Sequence, residues 1–138
     1  RARFNDPITH DIAKACVAEL ERLDVENDDI RLVSVPGALE VPLALKVMAE
    51  SGDYDALVAI GCVIRGETSH YDYVCGESAR GLMDLSVQRR LAIGYGVLTV
   101  ENEEQAWARA RRNEQDKGGD VAYACISMIG LRHKFGEA

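Results

Sequence analysis

The sequence predicts an α/β protein, a three-layer αβα sandwich built around a parallel sheet. Two long apolar runs, residues 56–64 and 91–100, lack the alternation of a half-exposed strand, which is typical of interior strands covered on both faces. Helical segments separate the predicted strands, and this order favours a parallel sheet flanked by helices. The chain has 138 residues, 47% of them hydrophobic, and we expect a single domain over residues 1–138.

The first part of the chain contains two predicted helices and one predicted strand. Asp6 and Pro7 form a helix start with Asp6 as the N-cap, and apolar residues then recur at steps of three or four. Residues 30–35 are rich in β-branched side chains and predict a strand that ends at a Pro-Gly turn. A second helix is predicted over residues 39–48.

Each of the two long apolar runs leads through a turn into a helix. After the first run, a long helix is predicted to begin near His70. After the second, a charged helix extends through Arg112. We expect Gly118 and Gly119 to break that helix before a last helix over residues 121–134.

Net charge, apolar runs and cysteine spacing exclude several classes of binding partner and metal site. Sixteen basic and 23 acidic residues give a net charge of −7, which argues against broad binding to nucleic acid or membranes. We find no membrane-length apolar run and no leader sequence, so we expect a cytoplasmic protein. The four cysteines lack zinc-ligand spacing, which favours buried free thiols over disulfides or metal ligands.

Ligands of parallel sheets bind outside the carboxyl ends of the strands, which directs attention to three turns. The turn at residues 66–70 joins a buried strand to a helix start, where free N–H groups and the helix dipole favour an anion. Thr68 and Ser69 add hydroxyls, so a phosphate fits there, but an ordinary N-cap explains the same two residues. The three turns follow Val35, Ile64 and Val100.

Two further side chains at these strand ends are candidates for chemistry. His70 lies at the helix start, where the dipole disfavours its charged form and leaves a neutral imidazole suited to a general base. A structural histidine is the alternative. Glu40 is placed to accept hydrogen bonds from a ligand, although a favourable acid in a first helical turn explains it equally.

Four other residues are ambiguous on local sequence. Arg109 and Lys117 belong to a charged segment that a solvated helix face explains. Phe4 and Tyr95 are aromatic residues beside predicted strand ends, suited to stacking on a planar ring or to filling core. No dinucleotide or P-loop glycine pattern is present in the sequence.

Five ordered segments carry a more specific signal. They are RFND (3–6), VPGALEVP (35–42), GCVIRGETSHY (61–71), GVLT with EN (96–102) and DKGG (116–119). Together they closely resemble the 6,7-dimethyl-8-ribityllumazine synthase family of riboflavin biosynthesis, in register from Arg3 to about Phe135.

The resemblance implies condensation of 5-amino-6-ribitylaminouracil with 3,4-dihydroxy-2-butanone 4-phosphate, giving 6,7-dimethyl-8-ribityllumazine, phosphate and water. No metal and no organic cofactor is implied. The implied fold is a flavodoxin-like sheet of about four strands, with the first strand preceding Arg3. The implied assembly is a homo-oligomer, a pentamer or an assembly of pentamers, in which neighbouring subunits share the substrate pocket.

The resemblance also assigns roles. His70 matches the acid/base histidine, Arg109 the arginine that holds the phosphate, and Phe4 the ring that stacks on uracil, while Glu40 bonds the ribityl chain. The phosphate turn comprises Gly66, Glu67 and Thr68. The implied substrate-binding residues are Phe4, Ala38, Leu39, Glu40, Cys62, Val63, Ile64, Tyr95 and Lys117.

The sequence departs from the family at two places. Tyr95 replaces a more familiar Phe and adds a hydroxyl that needs a partner. Residues 111–115 lack the glycines often found in members that form sixty-subunit shells, so we expect pentamers rather than shells. The alternatives are a flavin- or lumazine-binding or scaffold paralogue without turnover, and another phosphate-ester enzyme on a flavodoxin-like sheet.

Overall fold

The structure, a computed structural model, describes residues 1–136 and confirms the α/β class. Five helices and two strands are present in the described residues, and two short 3₁₀ turns precede the second helix. In chain order they are α1 (Asp6–Arg22), the 3₁₀ turns Asn27–Asp29 and Ala38–Glu40, α2 (Val41–Glu50), β1 (Leu57–Ile64), α3 (His70–Arg89), β2 (Ile93–Val100), α4 (Glu103–Ala110) and α5 (Lys117–Lys134).

The sheet is a parallel pair of equal strands. The pairing begins with Leu57 opposite Ile93 and ends with Ile64 opposite Val100. The backbone N–H of Arg65 then donates to the carbonyl oxygen of Val100 at 2.9 Å, so the ladder extends one residue past β1. Because the two strands stop at the same level, the turns that follow them start from one edge of the sheet.

Both faces of the sheet are buried, as the long apolar runs predict. On one face, α1, α4 and α5 pack around Ile60 and Cys62 of β1. On the other face, α2 and α3 pack around Leu57 and Ala59. Alternate residues of the same strand therefore enter different cores, and the helices form the two outer layers of a three-layer sandwich.

The prediction of a strand over residues 30–35 is wrong. Within residues 1–136, the only β-bridge of this segment is an isolated parallel bridge between Val35 and Ala2. Ala2 in turn donates its N–H to Ile60 of β1 at 2.8 Å. Beyond that contact, a groove of about 750 Å³ separates residues 30–33 from β1. Strand structure needs a hydrogen-bonded neighbour, which β-branched composition alone does not supply. The expected sheet of about four strands is not confirmed.

Two predicted helix ends shift. The N-cap of α1 is Asn5, in the left-handed region at φ 62°, rather than Asp6. Gly118 and Gly119 do not break a helix, because α5 begins at Lys117 and contains both. The carboxylate of Asp116 accepts a hydrogen bond from the N–H of Gly119 at 3.2 Å and caps the helix.

Gly118 lies where α5 crosses α1 at close range. A Cβ on Gly118 would clash with the carbonyl oxygen of Ile12 and lie 3.0 Å from the backbone nitrogen of Cys16. Both of these atoms belong to the α1 backbone, which cannot rotate away as a side chain would. The small residue is therefore required by helix packing.

The cysteines are free, as predicted. Cys16, Cys62 and Cys125 are buried, whereas Cys75 is half-buried. Among residues 1–136, no helix is both long enough and apolar enough to cross a membrane.

We predict that Gly118→Ala lowers the free energy of unfolding by about 2–3 kcal/mol, because α1 and α5 must move apart to admit a methyl group. Gly130→Ala, in the same helix, is the matched control, since a Cβ there meets nothing within 4 Å. That variant should gain about 0.5–1 kcal/mol from the higher helix propensity of alanine. Urea unfolding at one protein concentration measures both, and equal midpoints for the two variants would contradict the packing argument.

Candidate active site

The carboxyl edge of the sheet gathers three chain segments. The N–H of Arg3 donates to the carbonyl oxygen of Val35 at 2.7 Å, and the N–H of Phe4 donates to that of Pro36 at 3.0 Å. The side-chain amide of Asn5 donates to the carbonyl oxygen of Cys62 at 2.9 Å. These bonds fix the N-terminal segment and the turn after Val35 beside the end of β1.

The turn between β1 and α3 is exposed and open. Among residues 1–136, the backbone N–H groups of Gly66, Glu67 and Thr68 have no hydrogen-bond acceptor. A Cβ placed on Gly66 would meet nothing within 4 Å. The positive end of the α3 dipole adds to the field of these N–H groups, so the turn has the chemistry of an anion site.

A capping contact also exists in this turn. The hydroxyl oxygen of Thr68 accepts a hydrogen bond from the N–H of His70 at 3.3 Å, while Ser69 makes no side-chain cap. The cap interpretation therefore holds for Thr68 and not for Ser69. Thr68 uses its oxygen as an acceptor, which leaves its hydroxyl hydrogen available as a donor.

His70 is the first residue of α3, and its side chain is exposed. Within the described residues, no hydrogen bond or ion pair involves the imidazole ring. The ring is therefore free to exchange a proton with a ligand bound in the adjacent turn, as a general acid or base requires.

The 3₁₀ turn Ala38–Glu40 lies next to α3 at the same edge. Ala38 is buried in the core cluster under α2 and α3, and it anchors the turn. Leu39 and Glu40 are exposed, and Glu40 immediately precedes α2 rather than lying within its first turn. One buried residue thus presents two exposed side chains to a ligand.

Phe4 is 71% exposed, an unusual state for a large apolar ring. The next residue, Asn5, adopts the left-handed conformation that asparagine tolerates better than most residues, and it is bonded to β1 through its side chain. In the sequence, Asn5 stands out only as part of the RFND motif. An asparagine directly before a helix start is the feature of the sequence that could have predicted this turn, which leaves Phe4 exposed.

Cys62, Val63 and Ile64 form the last three residues of β1. Cys62 is buried, and burial raises the pKa of its thiol to about 11, with a smaller contribution from the nearby Glu103 charge. A thiol with that pKa stays protonated near neutral pH, so Cys62 is not poised as a nucleophile.

Tyr95 lies away from this edge, so the prediction that it sits beside a strand end is wrong. It pairs with Ala59 near the start of β2, five residues before the strand ends, or about 16 Å along the strand. The side chain is 42% exposed. Burial raises the pKa of Tyr95, and the nearby Ser78 hydroxyl acts in the opposite direction.

Arg109 and Lys117 also lie apart from the turn. Arg109 is half-buried in the last turn of α4, where it donates to the carbonyl oxygen of Gln105 at 3.0 Å. Lys117 begins α5, and its Nζ atom lies 3.8 Å from Oδ2 of Asp120. Both helices cover the sheet face opposite α3. Within residues 1–136, no hydrogen bond or ion pair joins either cation to residues 66–70.

The structure therefore divides the expected site residues into two groups. One chain brings the following residues to a single edge: Phe4, Ala38, Leu39, Glu40, Cys62, Val63, Ile64, Gly66, Glu67, Thr68 and His70. It leaves Tyr95, Arg109 and Lys117 elsewhere on the same chain. Among the described residues, no three His, Cys, Asp or Glu side chains are grouped so as to hold a metal ion.

An open strand-to-helix turn, an exposed histidine and an exposed ring at one edge define an α/β protein that binds small molecules at the carboxyl end of a parallel sheet. Comparison with known proteins makes this class specific. A family model described as 6,7-dimethyl-8-ribityllumazine synthase matches residues 1–133.

Relatives that carry the same name match nearly the whole chain. The protein from Methylobacterium radiotolerans is 52% identical over 131 residues, which is 95% of this chain and 78% of the relative. The protein from Bartonella tribocorum is 48% identical over 137 residues, 99% of this chain and 89% of the relative. The chain belongs to the 6,7-dimethyl-8-ribityllumazine synthase family, and it is a transferase of riboflavin biosynthesis. The resemblance seen in its motifs is confirmed.

Proposed function

We propose that the protein condenses 5-amino-6-ribitylaminouracil with 3,4-dihydroxy-2-butanone 4-phosphate to form 6,7-dimethyl-8-ribityllumazine, phosphate and water. The observation that carries this proposal is the turn at residues 66–70. There, unpaired backbone N–H groups and the start of α3 adjoin an exposed imidazole with no competing partner among the described residues. An anion site beside an imidazole without a partner supports binding of a phosphate ester next to a proton carrier.

The proposed reaction needs proton transfer and a held leaving group more than a protein nucleophile. The 5-amino group of the pyrimidine attacks the ketone, water leaves, and a Schiff base forms. Phosphate then departs by β-elimination, and the enol that forms tautomerises to a ketone. The ribitylamino nitrogen attacks this ketone, and the ring closes with loss of a second water. The N–H groups of Gly66, Glu67 and Thr68 hold the phosphate, and His70 moves protons. Holding both substrates in contact supplies much of the rate.

The pyrimidine binds at the same edge of the sheet, on the other side from the phosphate turn. Phe4 stacks on the uracil ring, which explains why a large ring is left exposed there. Glu40 accepts hydrogen bonds from the ribityl hydroxyls, and Ala38 and Leu39 line the ring. Cys62, Val63 and Ile64 contribute backbone contacts.

We propose that Arg109, Lys117 and Tyr95 act on a neighbouring subunit's turn in a pentamer, because their own chain does not bring them to its edge. The apolar surface supports an oligomer. Leu43 and Val47 are exposed one turn apart on α2, and Met83 and Val87 are exposed one turn apart on α3. Stripes of this kind on adjacent helices are typical of subunit interfaces.

We place the enzyme in the cytoplasm. Four free cysteines, three of them buried, support a reducing compartment, because disulfides form and persist mainly in oxidising ones.

One assay tests the proposed function. The two substrates are mixed with the protein, and lumazine fluorescence and phosphate release are followed together. Equal rates of the two signals are expected, because the products form in one sequence. Binding of the lumazine without phosphate release would contradict the proposal and favour a binding paralogue.

We predict that His70→Ala slows turnover by about 10- to 100-fold and leaves measurable activity, because proton transfer is only one part of the catalysis. His10→Ala is the matched control, since His10 is an exposed histidine on α1. The measurement is the steady-state rate of each folded variant compared with that of the wild type. Complete loss of activity would show a larger role for His70, and wild-type activity would remove its assignment.

We predict that Arg109→Ala raises the KM for the butanone phosphate by about 10- to 100-fold, as expected when charge-assisted hydrogen bonds to a phosphate are lost. The control is Arg111→Ala, because Arg111 is exposed, pairs with Glu114 and stacks on Trp107. The KM for the pyrimidine should stay within about twofold in both variants. An unchanged KM for the phosphate substrate would remove the role of Arg109.

A further inference from the structure

Arg65 connects the residues that follow the two strands. Its Nε donates to the Oε2 atom of Glu101, just after β2, at 2.6 Å. A second guanidinium nitrogen lies 3.5 Å from Oδ1 of Asp72, and Cζ lies 4.3 Å from the centroid of the Tyr71 ring. One guanidinium therefore contacts both the start of the α4 segment and the first turn of α3. Arg65 is not among the site residues that the sequence predicts.

These contacts frame the phosphate turn. Arg65 immediately precedes residues 66–69, and Tyr71 and Asp72 follow it with one residue between. The turn itself holds few internal bonds, of which the contact from the N–H of His70 to Thr68 is one. Its conformation therefore depends on how its two ends are held, and the Arg65 side chain joins those ends.

Glu101 is itself held firmly. Its N–H donates to the side-chain oxygen of Gln105 at 2.8 Å, and the N–H of Gln105 donates to the carboxamide oxygen of Asn102 at 2.8 Å. This arrangement resembles a capping box and fixes the first turn of α4. Arg65 is thus paired with an acid whose backbone is held in place at the start of α4.

We propose that Arg65 is a positioning residue that holds the turn at residues 66–69 in its substrate-binding conformation through Glu101 and Tyr71. The inference rests on the proposed function, since the turn must bind the phosphate ester for its shape to matter. The guanidinium is suited to this task because its plane stacks on the ring while its edge bonds a carboxylate, and lysine cannot do both.

Stability and activity should respond differently to loss of this contact. Arg65 and Glu101 have side chains that are 41% and 56% exposed, and ion pairs as exposed as this contribute little to folding. A misplaced binding group, in contrast, lowers catalysis strongly. Unfolding midpoints close to wild type together with a clear loss of kcat/KM therefore distinguish positioning from a structural role.

The test is a double-mutant cycle with Arg65→Lys and Glu101→Gln. Each single variant should lower kcat/KM for the butanone phosphate by about 10-fold or more, as small displacements of binding groups do. The KM for the pyrimidine should stay unchanged. The double variant should lose little more than Arg65→Lys alone, because Arg65→Lys already removes the contact that Glu101→Gln disrupts. Arg80→Lys is the control, since Arg80 pairs with Glu77 and Asp84 on α3, away from the turn.

Three outcomes would overturn the role of Arg65. They are wild-type kcat/KM in Arg65→Lys, no effect of Glu101→Gln, and additive losses in the double variant, which would indicate independent actions such as direct phosphate binding by Arg65. A wild-type protein that releases no phosphate would contradict the proposed function as well. If the wild type is active and the Arg65 and Glu101 variants have the same kcat/KM as the wild type, only the inference about Arg65 is contradicted.

Discussion

The site depends on the in-register pairing of β1 and β2. Because Leu57–Ile64 and Ile93–Val100 start and stop together, the turns that leave them begin at one level of the sheet. The bond from the Arg65 N–H to Val100 continues this pairing into the turn itself. A shift by one residue would exchange the two buried faces of a strand and displace the start of α3. The position of His70 is therefore fixed by a ladder of backbone bonds.

The two buried faces have a second consequence for function. The sheet separates α3, which carries His70, from α4 and α5, which carry Arg109 and Lys117. We propose that a neighbouring chain brings Arg109 and Lys117 to the substrate, because no hydrogen bond or ion pair among the described residues joins them to residues 66–70. The proposed pentamer would supply these cations, and it would allow a chain of net charge −7 to bind the proposed anionic substrate. Unpaired N–H groups and a few cations act locally, while the acidic residues determine the net charge.

Much of the fold could be predicted from periodicity, and the failures have physical causes. The two fully buried strands and the start of α3 are strong local signals, and they were predicted closely. The strand predicted to end at Val35 is not formed, because a strand needs a hydrogen-bonded neighbour and composition does not reveal whether one is present. Gly118 read as a helix breaker because its packing against Ile12 is a contact between distant residues. Tyr95 was predicted beside a strand end, although both the predicted and the observed strand end at Val100, five residues further on.

The site itself was predictable mainly from its motifs. The anion turn and His70 follow from strand-to-helix chemistry, whereas Arg109 could not be told from a solvated charge without the family resemblance. The role of Arg65 could not be predicted from the sequence. Its partner Glu101 is distant along the chain, and only the fold brings the two side chains together. Long-range pairs of exposed charges leave no local trace in a sequence.

The central claim is that each site takes His70 from one subunit and Arg109 from its neighbour. Coexpression of His70→Ala and Arg109→Ala chains in equal amounts tests it directly, because no chain in the mixture carries both residues. If neighbours share the site, about a quarter of the sites in mixed assemblies are intact. Below the KM of both substrates, we predict about a quarter of wild-type activity. Activity no greater than the mean of the two separate variants would contradict the account.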